Sequence, residues 1–126
     1  MRAVDTNVLV RLIAQDDAKQ LASARAFVAQ GVWVSVLALA EAIWVLESGY
    51  QFGDPELAGA IQMLLESQNL VVQDHDTVQS ALELYRDKPA LGFTDCLMVQ
   101  LAHDAGHVPL GTFDRKLARV HGAEHI

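Results

Sequence analysis

The sequence predicts an α/β fold, a three-layer α/β/α sandwich built around a mainly parallel sheet of four or five strands. Short apolar runs rich in β-branched residues alternate along the chain with longer segments whose apolar residues recur at helical spacing. Such alternation is typical of parallel sheets that are covered by helices. The chain has 126 residues, 52% of them hydrophobic, and shows no linker or low-complexity stretch. We therefore expect one domain that spans residues 1–126.

The first half of the chain contains two predicted strands, each followed by two predicted helices. The run 32–36 is rich in the residues that strands favour, and Asp54-Pro55 is a strong helix start because Pro fits the first helical turn. Thr6 or Asn7 stands where it can cap the first helix. We predict strands at 2–5 and 32–36, and helices that begin near residues 7, 16, 37 and 54.

The second half continues the alternation with shorter elements. Asp76 is placed to cap one helix, and Thr94-Asp95 begins another that Gly106 closes. Pro109 indicates that the strand around it starts there or is irregular, because Pro has no backbone N–H to donate. We predict strands at 70–72 and 108–113, a fifth strand in the last residues, and helices that begin near residues 76, 94 and 114.

Composition and charge exclude several classes of protein. The apolar stretches are short and interrupted, so we expect no membrane-spanning segment. The lone Cys96 and the lack of a secretory signal favour a reducing cytoplasm. The formal net charge of −7 disfavours non-specific nucleic-acid binding, because phosphate contacts need Lys and Arg. A role on nucleic acid therefore requires a local basic patch or a bound metal ion.

Four acids stand at the ends of the most apolar segments: Asp5, Glu41, Asp95 and Asp114. Ligands of open parallel sheets bind beyond the carboxyl ends of the strands, and three of the acids follow predicted strands. Asp95 lies at a predicted helix start, where the helix dipole favours negative charge. If these ends converge, the carboxylates require a hard divalent cation, Mg²⁺ or Mn²⁺. Such an ion suits hydrolysis of phosphodiester bonds.

Each acid also has an ordinary structural interpretation. Asp5, Asp95 and Asp114 are good helix caps, and Glu41 is compatible with the solvent face of an amphipathic helix. The joint placement of the four acids, one at each predicted rim position, favours the catalytic interpretation.

Hydroxyl, amide and basic side chains accompany the four acids in sequence. Ligand carboxylates need hydrogen-bond partners that fix their orientation, and we predict that Thr6, Asn7 and Thr112 provide them. A solvated helix face explains the basic residues after Asp114, but contact with substrate phosphates is the functional alternative. The predicted phosphate contacts are Arg11, Lys88, Arg115, Lys116 and Arg119.

Two further features favour structural interpretations. The segment 121–125 matches the H-x-x-E-H zinc pattern, but that pattern needs a helix, which Gly122 weakens. Trp33 and Trp44 are expected in the core rather than on the surface.

Four segments in order resemble the PIN-domain family of the VapC toxin type. The matching segments are 4–9 (Val-Asp-Thr-Asn-Val-Leu), 35–41, 92–98 (Gly-Phe-Thr-Asp-Cys-Leu-Met) and 111–117 (Gly-Thr-Phe-Asp-Arg-Lys-Leu). The resemblance implies a Mg²⁺- or Mn²⁺-dependent endoribonuclease that cuts RNA, is usually homodimeric and is paired with a cognate antitoxin. It also implies that Asp5, Glu41, Asp95 and Asp114 form the acidic metal site.

Two other functions stay open at the level of sequence. One is a metal-dependent phosphohydrolase of small phosphate esters, in which Asp5 is a covalent nucleophile. Its usual pattern has a second Asp two residues later, where this chain has Asn7. The other is a PIN-like binding module with a vestigial site, which the presence of all four acids disfavours.

Overall fold

A computed structural model describes all residues from Met1 to Ile126. It has six helices, five strands and two short 3₁₀ turns, so the predicted mixed α/β class is confirmed. The chain folds as two compact units, Met1–His75 and Asp76–Ile126, which are described in turn.

The first unit contains a three-stranded parallel sheet in the order β1-β2-β3. Trp33 on the central strand pairs with Ala3 on one side and with Val71 on the other. Because the strands are parallel, the helices that follow β1 and β2 begin at the same edge of this sheet. The elements are β1 (Arg2–Ala3), α1 (Thr6–Ala14), α2 (Ala18–Val28), β2 (Val32–Val34), α3 (Val36–Gly49), α4 (Asp54–Glu66) and β3 (Leu70–Val72).

Polar caps fix where the helices of the first unit begin. Asp17 accepts the backbone N–H of Gln20 and caps α2, and Ser35 accepts that of Ala38 and caps α3. The first helix differs from the prediction, because its cap is Asp5 and not Thr6 or Asn7. Asp5 has the extended backbone of a cap residue, whereas Thr6 is already helical.

The core of the first unit is formed by one face of each helix and by the strands β2 and β3, whereas both residues of β1 are exposed. Central side chains are almost fully buried: Leu9, Val32, Val34, Leu46, Leu57 and Ile61. The expectation that both tryptophans are core residues is wrong, because Trp33 is 38% exposed and Trp44 is 67% exposed. Trp44 lies on the face of α3 opposite to the buried Ile43 and Leu46, where nothing in the chain covers it.

The second unit contains two parallel strands that pair with each other, Gly111 opposite Glu124. The predicted sheet of four or five strands is therefore divided, in its hydrogen bonding, into ladders of three and two strands. The elements are α5 (His75–Asp87), a 3₁₀ turn (Pro89–Leu91), α6 (Phe93–Asp104), β4 (Leu110–Thr112), a second 3₁₀ turn (Leu117–Arg119) and β5 (Ala123–His125).

Two predictions for the second unit need correction. The strand predicted at 108–113 is confined to Leu110–Thr112, which is consistent with the missing N–H of Pro109. The helix predicted from Asp114 to Val120 is only the 3₁₀ turn Leu117–Arg119. Val120 is already extended, so the segment has room for one tight turn and not for an α-helix.

The core of the second unit has an aromatic and an aliphatic part. Tyr85 and Phe93 pack edge to face with ring centroids 6.0 Å apart, and both are nearly inaccessible. Val99, Leu117 and Val120 form an aliphatic cluster that anchors the second 3₁₀ turn against α6.

No helix in the chain combines the length and the apolarity needed to cross a bilayer.

Candidate active site

Asp5 stands between β1 and α1, where the strand ends and the helix begins. Its Oδ1 accepts the backbone N–H of Val8 at 3.2 Å and so satisfies one of the unpaired donors of the first helical turn. A carboxylate has acceptor sites on two oxygens, and the cap uses one of them. Asp5 is exposed, so the same side chain both fixes the helix start and presents a negative oxygen to solvent.

Glu41 is joined to the start of α1 by a direct hydrogen bond. The hydroxyl of Thr6 donates to Glu41 Oε2 at 2.8 Å, and the helices α1 and α3 pack against each other. This bond fixes one oxygen of an otherwise exposed carboxylate. The structure thus places the hydroxyl of Thr6, the residue after Asp5, against the Glu41 carboxylate. The role of Thr6 in supporting a metal ligand stays a prediction.

Two positioning residues of α3 escaped the sequence prediction. Ser35 caps this helix, and the side chain of Gln73 accepts the backbone N–H of Val36 at 2.9 Å. Both bonds hold the start of the helix that carries Glu41. Ser35 had a usable signal, a hydroxyl residue directly after a β-branched run, whereas Gln73 had none because its partner lies 37 residues earlier.

Arg11 is held by a polar network within the first unit. Its guanidinium donates to Asp16 at 3.1 Å and to the Tyr50 hydroxyl at 2.9 Å, and it also contacts Gln20. The Tyr50 hydroxyl in turn donates to Asp16 at 2.9 Å and so lowers the pKa of Asp16. The hydrogen bond between Arg11 and Tyr50 raises the pKa of Arg11, with desolvation opposing it. Arg11 thus connects α1 to the end of α3. Asn7 lines a shallow hollow between α1 and α2 and is exposed.

Asp95 lies in the first turn of α6 and is half-buried. Burial raises its pKa, and the negative charge of Asp114 raises it further. The structure therefore brings these two predicted acids near enough for their charges to interact. The neighbouring Cys96 is fully buried, and desolvation together with the Asp95 charge raises its pKa to about 11.

Asp114 is exposed and organises the turn that follows β4. Its Oδ1 accepts the backbone N–H groups of Lys116 at 2.8 Å and Leu117 at 3.3 Å. Thr112 supports it from the strand, since the Thr112 hydroxyl accepts the backbone N–H of Asp114 at 3.0 Å. Thr112 thus positions the backbone of Asp114 and does not contact its carboxylate in this structure.

Three of the residues predicted to contact phosphate lie together in the second unit. Lys88, Lys116 and Arg119 line one open hollow of about 230 Å³, together with the apolar Ala90 and Leu91. The cations come from two segments nearly thirty residues apart in the chain. In a protein of net charge −7 this is a local concentration of positive charge. Arg115, the residue before Lys116, is also exposed.

The donor set suits a hard divalent cation. The predicted ligands are all carboxylates, one of them is oriented by Thr6, and the charge of Asp95 is disfavoured in a way that a nearby cation would relieve. No group of three or more His, Cys, Asp or Glu side chains stands in a geometry that holds a metal ion. The convergence of Asp5, Glu41, Asp95 and Asp114 on one ion stays a prediction.

A family model described as PIN domain matches residues 2–123. The chain belongs to the PIN domain family. PIN domains are generally nucleases that use divalent metal ions and bind nucleic acid, which supports a hydrolase acting on nucleic acid. The family predicted from the four motifs is therefore confirmed. Neither curated proteins nor solved structures give a match to this chain.

Proposed function

We propose that this PIN domain is a Mg²⁺- or Mn²⁺-dependent endoribonuclease and the toxin of a toxin–antitoxin pair. The observation that carries the proposal is the half-buried Asp95 of a PIN-family chain, whose pKa is raised by burial first and by the repelling negative charge of Asp114 second. A divalent cation bound at these carboxylates would relieve that repulsion.

The proposed ligands of the ion are Asp5, Glu41, Asp95 and Asp114. Thr6 keeps the Glu41 carboxylate in one orientation, and Thr112 fixes the backbone from which Asp114 projects. The ion would neutralise charge on the scissile phosphate and lower the pKa of a bound water. The carboxylates would hold the ion and position the water.

Lys88, Lys116 and Arg119 are the proposed contacts to RNA phosphates. Their shared hollow supports this role, because cations on neighbouring segments can follow a backbone of repeating negative charge. Arg115 is included as their exposed neighbour. Arg11 contributes less, because its guanidinium is already bonded to Asp16 and Tyr50.

The proposed protein partners are a cognate antitoxin and a second copy of this chain, in the cytoplasm. The resemblance of the four motifs to VapC-type toxins supports both partners. Large apolar side chains that the chain leaves exposed also suit protein contacts, notably Leu37 at 68%, Trp44 at 67% and Phe113 at 79%.

Cleavage of defined RNA and DNA oligonucleotides in MgCl₂, MnCl₂ or EDTA tests the proposal. We expect RNA cleavage that needs the divalent ion and that Asp95→Asn and Glu41→Gln abolish. Glu47→Gln is the matched control, because Glu47 is exposed on the same helix as Glu41. RNA cleavage in EDTA, or unchanged cleavage by both variants, would contradict the proposal.

Two other results would favour the remaining functions. Hydrolysis of a small phosphate ester with a trapped phosphoryl group on Asp5 would indicate the phosphohydrolase. RNA or protein binding without cleavage of any substrate would indicate the vestigial module. The toxin role has its own test: the gene should arrest growth, and a short gene upstream encoding a DNA-binding N-terminus should relieve the arrest.

A further inference from the structure

Two histidines far apart in sequence face each other in the second unit. His103 lies in the last turn of α6, and His121 lies between the second 3₁₀ turn and β5. Their ring centroids are 6.2 Å apart and their planes are inclined by 59°. Stacked rings would be closer and parallel, so these rings are tilted and separated rather than stacked.

A tight turn brings His121 to this position. The backbone N–H of Ala123 donates to the carbonyl of Val120 at 3.0 Å, which closes a β-turn with His121 and Gly122 at its centre. Gly122 has φ +91°, the conformation that the third position of a type II turn requires and that favours glycine. A Cβ at Gly122 would lie 3.9 Å from His103 Cδ2, so the turn packs directly on the His103 ring.

A carboxylate fixes the orientation and the tautomer of His103. His103 Nδ1 lies 3.1 Å from Asp104 Oδ1, and the hydroxyl of the buried Thr77 donates to Asp104 Oδ2 at 2.6 Å. The Thr77 bond, followed by the His103 bond, lowers the pKa of Asp104, so this carboxylate stays charged. With Nδ1–H donating to Asp104, the lone pair of neutral His103 is on Nε2. Histidines that bind metals are usually supported in this way.

The space beside the two rings is open to solvent, and the charged side chains around it do not repel a cation on balance. His103 and His121 line a hollow of about 340 Å³ together with Asp87, Lys88 and Gln100. Asp87 and Lys88 carry opposite charges, and Asp104 adds a second carboxylate behind His103. An anion would find less compensation here than in the hollow of Lys88, Lys116 and Arg119.

We propose that His103 and His121 bind one ion of a borderline transition metal, such as Zn²⁺ or Ni²⁺, at a site separate from the carboxylates. Two imidazoles that share a metal at about 2.1 Å per nitrogen hold their ring centroids about 5–6 Å apart, close to the observed separation. No third His, Cys, Asp or Glu completes a ligand group, so water would fill the remaining positions of a bound ion. Mg²⁺ prefers oxygen ligands and does not bind here.

This pairing differs from the one that the H-x-x-E-H pattern suggests. That pattern needs His121 and His125 on one helix. In the structure His125 ends β5, and His121 lies in the preceding turn beside His103. Substitution of His125 therefore distinguishes the two pairings, because only the sequence pattern requires His125 as a ligand.

Calorimetric titration of untagged protein with NiCl₂ and with ZnCl₂ tests the site. The titration is done in excess MgCl₂, which occupies the proposed carboxylate site. We expect one equivalent of each ion to bind wild type under these conditions, and this binding to be lost in His103→Gln and in His121→Gln. His125→Gln and His107→Gln are the controls and should bind like wild type, as should Asp95→Asn. Asp104→Asn should weaken binding roughly 10- to 100-fold, as loss of a supporting carboxylate does elsewhere.

A second measurement does not depend on variants. In long-range ¹H–¹⁵N spectra of the imidazoles, ZnCl₂ should shift the nitrogens of His103 and His121 and leave the other histidines unchanged. Absence of binding at millimolar metal, equal loss in His125→Gln, or shifts confined to other histidines would each overturn the proposal. None of these outcomes depends on whether the protein cleaves RNA, so the test is independent of the proposed function.

Discussion

The Asp95 carboxylate should destabilise the folded protein whenever it is charged and no metal is bound. Its pKa is raised by burial first and by Asp114 second, so the folded state binds the proton more tightly than the unfolded chain. Stability therefore falls as pH rises from the unfolded value, about 4, through the raised folded value, and the full penalty is present at neutral pH.

Asp95→Asn should for that reason raise the melting temperature in EDTA at pH 7. The expected gain is a few degrees, because ~1 kcal/mol moves the midpoint by roughly 3–5 °C in a protein of this size. The gain should shrink below pH 4, and Glu83→Gln, an exposed carboxylate on α5, is the control. A variant that melts lower than wild type in EDTA at pH 7 would contradict the expected repulsion.

Cys96 should be unreactive in the folded protein. The side chain is fully buried, and its pKa of about 11 leaves almost no thiolate at pH 8. We expect no reaction with a disulfide reagent such as DTNB over an hour, and rapid reaction of one thiol after denaturation. Fast labelling of native protein would show that α6 opens locally.

At the scale of elements, the hydrogen bond from Thr6 on α1 to Glu41 on α3 should matter more for activity than for stability. Thr6→Val keeps the shape of the side chain and removes the donor to Glu41 Oε2. Loss of such an orienting partner typically costs about 10–100-fold in metal affinity or activity. The bond is solvent-exposed, so the unfolding free energy should change little.

The measurement is the cleavage rate as a function of MnCl₂ concentration. Thr6→Ser restores the hydroxyl and should recover most of the rate, whereas a structural role of the methyl group would predict the opposite order. Equal rates for wild type and Thr6→Val would remove Thr6 from the proposed site.

Elements with a local signal were predictable, and those that depend on distant partners were not. Asp17 and Asp54-Pro55 mark helix starts by their chemistry, and both helices are present. The helix predicted after Asp114 does not form. The Asp114 carboxylate accepts the backbone N–H groups of Lys116 and Leu117 and closes a tighter turn. A cap residue signals that a turn begins, but not how far the helix continues.

At the scale of the whole molecule, a divalent ion should stabilise the fold by binding it in preference to the unfolded chain. We expect MgCl₂ or MnCl₂ to raise the melting temperature, since a ligand at 100 times its Kd contributes about 2.7 kcal/mol. Asp5→Asn and Asp95→Asn should reduce the shift, and His103→Gln should not. No shift at millimolar metal would count against the carboxylate site.

The four acids of the predicted site could be identified individually from the sequence, but their contacts could not. The rule that ligands bind beyond parallel strands pointed to Asp5 and Asp114, which lie two residues after the ends of β1 and β4. The Thr6–Glu41 bond spans 35 residues, and the division of the strands into ladders of three and two depends on long-range pairing. No local pattern carries that information.

The exposure of both tryptophans has a practical consequence for any binding study. Indole emission reports the polarity around the ring, and Trp44, at 67% exposed, already faces water in the folded chain, whereas Trp33 is 38% exposed. The change of emission on unfolding should therefore come mainly from Trp33. Trp44 should instead report a partner that covers α3, since such a partner would shift its emission to the blue.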